Sequence, residues 1–362
     1  MDLVIKPTER CNFKCTFCSS TSISDDAGDE LPLEEVKRFL LRYPETRTII
    51  VNGGDPLMMP PAYYTELLAF LDDNDLPATV SITSNLWPFY KNPERWRAVF
   101  QHPRFFVMTS FQFGGKRLKG DLTPFTAGEF WKVSDLLLEV CGYRPGFIAV
   151  IDEHNADTVV QTVELAKEMG VDSKVNYAMA SGPVVQYKSI TMGNEGHLYL
   201  LADMYAHYVE LWERGLAQWE HNTRQMMRKL RDELTVCPLS RTCDQGIRTL
   251  QPSGRYYSCP ALADDDSHRI DFDAEMKGEQ FFPLQSDPEL TAMKESCFGC
   301  PLFGICNGCR KTIRDHKRLG LVEQHCRKMK TLAPKIIEAN GLTGQLIPTP
   351  YVNEDNVIAR DS

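Results

Sequence analysis

An α/β fold built on a parallel sheet, followed by a smaller cysteine-rich region, is what this sequence predicts. Three observations predict it. Apolar, β-branched or aromatic runs recur six times before residue 180, stretches with helical apolar spacing separate them, and eight of the twelve cysteines fall after residue 236. The strands are expected at Leu3–Ile5, Thr48–Val51, Thr79–Thr83, Phe105–Thr109, Phe147–Ile151 and Lys174–Tyr177. The helices are expected near 33–43, 62–72, 93–100, 127–141 and 155–169, with a longer one at about 197–217. Parallel neighbours need a long crossover, usually a helix, so this alternation implies a parallel sheet. In parallel α/β folds the chemistry gathers at the C-terminal ends of the strands.

At 362 residues the chain holds one large domain and a smaller one. Apolar content of 43% and charged content of 25% are ordinary for a soluble globular protein, and no run has the apolar length of a membrane span. The start, Met1 to Lys6, lacks the basic region, long apolar stretch and cleavage site of a signal peptide, so cytoplasmic residence is expected. Twelve cysteines in that reducing compartment argue for metal sites rather than disulfides. A net charge of −9 argues against a general nucleic-acid binder. Between Arg310 and Lys330, however, eight Lys or Arg stand against Asp315 and Glu323, a balance of +6. A solvated helix whose cations offset a thiolate-bound cluster is the expected reading, and an anionic substrate is the sharper alternative.

The run Cys11-Asn12-Phe13-Lys14-Cys15-Thr16-Phe17-Cys18 follows the first strand. It resembles the cluster-binding loop of the radical S-adenosylmethionine (radical SAM) superfamily. Three thiolates hold three irons of a [4Fe-4S] cluster and leave one iron open, whereas a structural zinc site wants four ligands. The resemblance implies that S-adenosyl-L-methionine binds the open iron, making Cys11, Cys15 and Cys18 the catalytic and metal-binding set, and that the six strand-helix units form a partial (βα)6 barrel. Gly53-Gly54-Asp55-Pro56, in the loop after the second strand, resembles the family's Gly-Gly-Glu/Asp-Pro motif, in which the glycines admit the methionine end of the cofactor and the proline fixes the turn. By the same resemblance Phe17 meets adenine, and Ser84, Asn85, Ser110 and Gln112 touch the methionyl carboxylate and ribose. Asn176, Tyr177 and Met179 end the sixth strand and are candidates to face the adenosine or the substrate, although Met179 also suits a core position.

The later cysteines run Cys237-x5-Cys243-x15-Cys259, then Cys297-x2-Cys300-x5-Cys306-x2-Cys309, then x16-Cys326, with Gly254 just ahead of Cys259. This order resembles the SPASM auxiliary-cluster domain, a small cysteine-rich α+β unit. Gly254 reads as the turn of a hairpin, Leu250–Gln251 leading in and Tyr256–Ser258 leading out. The resemblance implies one [4Fe-4S] cluster on Cys237, Cys243, Cys259 and Cys309 and another on Cys297, Cys300, Cys306 and Cys326, making three clusters in all. The two residues between Cys306 and Cys309 are a departure, since three are more usual in the family. A pair of zinc knuckles is the alternative, but it strands Cys237, Cys243 and Cys259. Cys141, at the end of an apolar helix, is left over and reads as a small buried hydrophobe, with a hydrogen-donating role as its alternative.

The expected organisation is a barrel over 1–200, a helical linker over 201–235, a SPASM domain over 236–330 and a tail over 331–362. The family's first step is hydrogen abstraction by a 5′-deoxyadenosyl radical, here from an amino-acid-like carbon, leading to rearrangement, oxidation or crosslinking, so the class is oxidoreductase or isomerase. An external electron donor of flavodoxin or ferredoxin type is implied. The substrate is a peptide, a small molecule or a modified nucleotide. A peptide- or protein-modifying maturase is one alternative, although the early start of the barrel leaves no room for a leader-binding domain. Formylglycine formation is disfavoured by Pro260 after Cys259, where the formylglycine maturases place an acidic base; Asp264 to Asp266 are the nearest substitutes. A second alternative is an isomerase acting on an amino-acid-modified thymine in phage DNA hypermodification, because the compact chain resembles short bacteriophage members. A non-catalytic iron-sulfur electron carrier is the third.

Overall fold

The computed structural model describes residues 1–18, 28–152, 154–178, 201–232, 246–279, 297, 300–306 and 310–342. Six strands and the helices between them occur in the expected order. They are β1 (Asp2–Ile5), α1 (Leu33–Arg42), β2 (Thr48–Val51), α2 (Pro61–Asp73), β3 (Thr79–Thr83), α3 (Trp87–Lys91) with α4 (Glu94–Phe100), β4 (Phe105–Ser110), α5 (Ala127–Cys141), β5 (Gly146–Ile151), α6 (Val159–Met169) and β6 (Ser173–Tyr177). All six strands pair in parallel, each with its neighbour in sequence. The expectation for 155–169 differs at its start: Ala156–Thr158 is a 3-10 turn, and the α-helix begins at Val159. Asn155 is held out of the helix, its Oδ1 accepting from the Asp152 amide at 2.7 Å and its Nδ2 donating to Val150 O at 3.1 Å.

Side-chain alternation gives the sheet two faces. Phe105 meets Phe100 of α4 at 6.0 Å between ring centroids, and Phe147 meets Phe130 of α5 at 5.2 Å, so this row faces the helices. Leu3, Ile49, Val80 and Ala149 lie in it with almost no exposure. The opposite row carries Ile50, Ser81, Phe106, Ser110, Ile148, Lys174 and Asn176 and is polar and apolar by turns. Two pairings align Ser110, Ile148 and Lys174 across β4, β5 and β6 on that face.

The hairpin expected around Gly254 is present as β7 (Ile247–Gln251) and β8 (Arg255–Tyr257), with Gly254 at a φ of +66°. β7 lies parallel to β1, so the eight-stranded sheet runs β6-β5-β4-β3-β2-β1-β7-β8. The chain divides into two compact units, one comprising Met1–Gly196 with Gly246–Phe281 and the other His197–Gln245 with Phe282–Ser362. In the second unit, helix Leu201–Glu213 packs along helix Val322–Ala339, which runs through residue 330. Among the described residues no helix is long and apolar enough to cross a membrane.

Candidate functional site

The loop leaving β1 is clamped on two sides. Lys14 and Thr16 donate backbone hydrogen bonds to Leu118 O at 2.8 Å and Lys116 O at 3.2 Å. On the other side Gly54 and Asp55 donate to Thr8 O at 3.0 Å and Arg10 O at 2.8 Å. A Cβ on Gly54 would lie 2.0 Å from Arg10 O, and one on Gly53, at φ +121°, 2.5 Å from Thr8 O. The glycine pair is therefore required for the second loop to dock on the cysteine loop. Phe13, between the first two cysteines, is buried against Phe125 and Trp87 at 5.4 and 6.4 Å and anchors the loop.

The three thiols share this clamp. The Phe13 amide donates to Cys11 Sγ at 3.4 Å, and the Cys18 amide donates to Cys15 O at 3.3 Å. Burial pushes the Cys11 thiol well up, and the Asp55 carboxylate, then Cys15 and Cys18, push the same way. Burial also raises Cys15, against the pull of the Arg117 guanidinium. Buried thiols that repel one another as thiolates keep their protons until a cationic centre replaces them, which is the behaviour of a metal ligand set. An amide donor to sulfur and a nearby guanidinium fit an iron-sulfur cluster.

Asp55 is a hub rather than an open ligand. Its Oδ1 accepts from the Leu57 amide and Ser84 Oγ, both at 2.9 Å, and its Oδ2 accepts from the Asn85 amide at 2.8 Å. Ser84 Oγ in turn accepts from the Leu86 amide at 2.9 Å, so both Asp55 and Ser84 are satisfied within the protein. Asn85 donates through Nδ2 to Asn12 Oδ1 at 2.8 Å and accepts from the Trp87 amide at 2.8 Å, tying the end of β3 to the cysteine loop.

Phe17 and Gln112 meet at a residue that the sequence did not single out. Arg117, 7% exposed, places its guanidinium 5.2 Å from the Phe17 ring centroid and donates to Gln112 Oε1 at 2.8 Å. Gln112 Nε2 is buried with no hydrogen-bond partner among the described residues. An orphaned donor, a guanidinium and a buried ring beside the cysteines fit an adenosyl ligand with a carboxylate. Ser110 and Asn176 stand on the sheet face described above, and Tyr177 ends β6 half-buried. Met179 lies outside the described residues.

Near the hairpin, the acidic triplet is engaged: Lys6 pairs with Asp264, and Tyr257 donates to Asp266. Arg255 also reaches Glu9 at 2.6 Å. Cys259 precedes the short helix Pro260–Ala263, while Cys237, Cys243 and Cys309 lie outside the described residues. Cys141 ends α5, half-buried in a cavity wall with Phe106 and Gly146, near the opening rather than the C-terminal end of those strands.

In the second unit four thiols act on one another. Cys297 is raised by burial and then by Cys326 and Cys300. Cys306 is pushed up to about 12 by burial, with Cys297, Cys326 and Cys300 adding to it and the Lys229 ammonium opposing. Lys317 and Lys330 oppose the rise at Cys297 and Cys326. These cations sit where a thiolate-ligated cluster needs them. The expected solvation holds in part: Lys317, Arg327, Lys328 and Lys330 are exposed, whereas Lys311 and Arg314 are each 4% exposed. Lys311 reaches Asp315 at 2.7 Å and Arg314 reaches it at 3.6 Å, and these pairings permit the burial. Burial lowers His316 and His325 to about 4 and keeps both rings neutral.

The family profile described as Radical SAM superfamily matches residues 5–188. Staphylococcus carnosus GTP 3′,8-cyclase is 22% identical over 201 residues, 51% of this chain and 50% of that protein. The corresponding enzyme of Klebsiella pneumoniae subsp. pneumoniae is 27% identical over 95 residues, 25% of this chain and 28% of that protein. The chain thus spans half or less of the curated relatives it matches. Among solved structures, native anSMEcpe with bound AdoMet and Cp18Cys peptide superposes with a TM-score of 0.69 at 17% identity, covering 94% of this chain and 99% of that one. Streptococcus suis SuiB bound to precursor peptide SuiA gives a TM-score of 0.55 at 18% identity, covering 85% and 71%. Those likenesses show the fold, and the profile, which takes in half of the chain including the three-cysteine loop and the Gly-Gly-Asp-Pro turn, shows that this protein belongs to the Radical SAM superfamily.

Proposed function

We propose that the protein is a three-cluster radical SAM enzyme that takes a hydrogen atom from an amino-acid-like carbon of its substrate. Reductive cleavage of S-adenosyl-L-methionine at a [4Fe-4S] cluster on Cys11, Cys15 and Cys18 would supply a 5′-deoxyadenosyl radical for that step. The observation that carries this reading is the buried three-thiol loop beside Phe17, Arg117 and the orphaned amide of Gln112. Arg117 would receive the methionyl carboxylate, Gln112 would donate to the cofactor, and Phe17 would cover adenine. Ser84 and Asp55 would hold the walls in register rather than touch the ligand. Lys174, in one row with Ser110 on the open sheet face, is a cation placed to receive a substrate carboxylate. Cys297, Cys300, Cys306 and Cys326 would hold one auxiliary cluster of a SPASM domain and Cys237, Cys243, Cys259 and Cys309 the other.

A peptide is the carrier of that carbon favoured by the likeness over nearly the whole chain to a structure holding a peptide. The nucleotide cyclases match about half of the chain or less, and several cations of the +6 segment are already paired, so an anionic nucleotide has less support. The test is anaerobic reconstitution with iron and sulfide counting, then dithionite and S-adenosyl-L-methionine with products read by mass spectrometry. About twelve irons and 5′-deoxyadenosine are expected. Cys15→Ala should abolish deoxyadenosine while retaining the auxiliary clusters, and Cys300→Ala should retain at least part of the cleavage. Zinc in place of iron, or undiminished cleavage by Cys15→Ala, would overturn the proposal.

A further inference from the structure

Cys306 closes the short helix Phe303–Cys306, and its sulfur lies 3.1 Å from Nε2 of His325. His325 is 2% exposed, and His316, at 0%, stands behind it with ring centroids 5.5 Å apart and planes at 56°. The Leu201 amide donates to His316 Nε2 at 3.0 Å, which in a neutral ring leaves the proton on Nδ1. The Nδ1 atoms of both rings are buried with no hydrogen-bond partner among the described residues. On His316 that atom is a donor. On His325 it is an acceptor whenever Nε2 carries the proton.

A cysteine sulfur bound to iron has no proton. Its contact with His325 is then attractive only if Nε2 is the donor. The sulfur side of this contact is electropositive in a second way. Lys229, 1% exposed and donating to Tyr205 OH at 2.7 Å and Ile305 O at 2.9 Å, places a buried ammonium where its charge acts on Cys306.

We propose that His325 is a positioning residue that donates a hydrogen bond to the Cys306 sulfur and raises the reduction potential of the cluster it ligates. The inference rests on the reading of Cys297, Cys300, Cys306 and Cys326 as one ligand set. Adding an electron makes the ligand sulfurs more negative, so an N–H donor stabilises the reduced cluster more than the oxidised one. The consequence is a site tuned to accept an electron rather than only to shape a pocket.

The test is an EPR-monitored potentiometric titration of the reconstituted full chain, using dithionite and mediators. Cys300→Ala identifies the signal that belongs to this cluster. In His325→Phe that signal should persist with its reduction equilibrium weakened on the order of tenfold, about 59 mV for one electron. His325→Gln, which keeps an N–H donor on a similar reach, should restore most of the shift. His325→Leu, which also lacks a donor, should move it in the same direction, and it carries the comparison if His325→Phe loses iron. An unchanged midpoint in a variant that retains the signal overturns the role of His325 and leaves the ligand set standing. A full set of signals in Cys300→Ala overturns the ligand set, and the inference with it.

Discussion

Asp55 shows how a family motif can serve the scaffold. Burial lifts its carboxyl to about 6, while the Asn85 and Leu57 amides and the Ser84 hydroxyl pull it down. The unfolded value is ~3.9, so between about pH 4 and 6 the folded apoprotein binds more protons than the unfolded chain. The contribution of Asp55 to stability is therefore most favourable below that window and falls as pH rises through it, by about 2–3 kcal/mol at 1.36 kcal/mol per unit. Asp55→Asn removes this contribution. The difference in unfolding free energy between the parent and Asp55→Asn apoproteins should decline by that amount from pH 4 to 6.5, and a flat difference would refute the assignment. At Gly54 the expected effect is steric. Gly54→Ala must displace Arg10 O, so we expect a loss of about 1–3 kcal/mol by denaturant titration, together with lower iron occupancy at the first site. The cysteines, glycines and Phe17 were legible because a motif is a local pattern. Arg117, Asn12 and Phe13 were not, because their roles exist only once residues 116–119 and the end of β3 close on the cysteine loop.

Elements were legible wherever one physical signal dominated. All six strands begin and end within one residue of their apolar runs because parallel strands covered on one face and half covered on the other leave few polar positions to blur them. Helix α5 was found in full because a capping box opens it and a left-handed glycine closes it. Thr126 Oγ accepts from the Glu129 amide at 3.2 Å, Glu129 Oε2 accepts from the Thr126 amide at 2.8 Å, and Gly142 has a φ of +88°. Thr126→Ala should cost about 1 kcal/mol of stability, seen as a shifted denaturation midpoint with iron content unchanged. Where the local signal was divided, the reading slipped: 155–169 shows helical spacing throughout, but Asn155 binds the end of β5 and delays the α-helix to Val159.

At the scale of the whole molecule, sequence order and spatial order part company. The hairpin at 247–257 was visible as a hairpin, yet nothing local says that β7 pairs with β1, some 240 residues away in sequence. Unit one rests on an eight-stranded sheet and a continuous apolar core. Unit two has, among its described residues, helices and no strand, and its core includes the buried polar cluster of Lys229, Lys311, Asp315, His316 and His325 beside Cys306. Buried charges and neutral imidazoles contribute little net stability. Metal ligation in such a unit is coupled directly to folding. Removing iron should therefore loosen the second unit more than the first. In hydrogen exchange, chelated apoprotein should lose protection in 201–213 and 322–339 relative to reconstituted protein, while 79–83 and 105–110 stay protected. Equal loss in both sets would mean that iron stabilises the sheet as much as the helices, and no loss in 322–339 would detach Cys326 from any cluster.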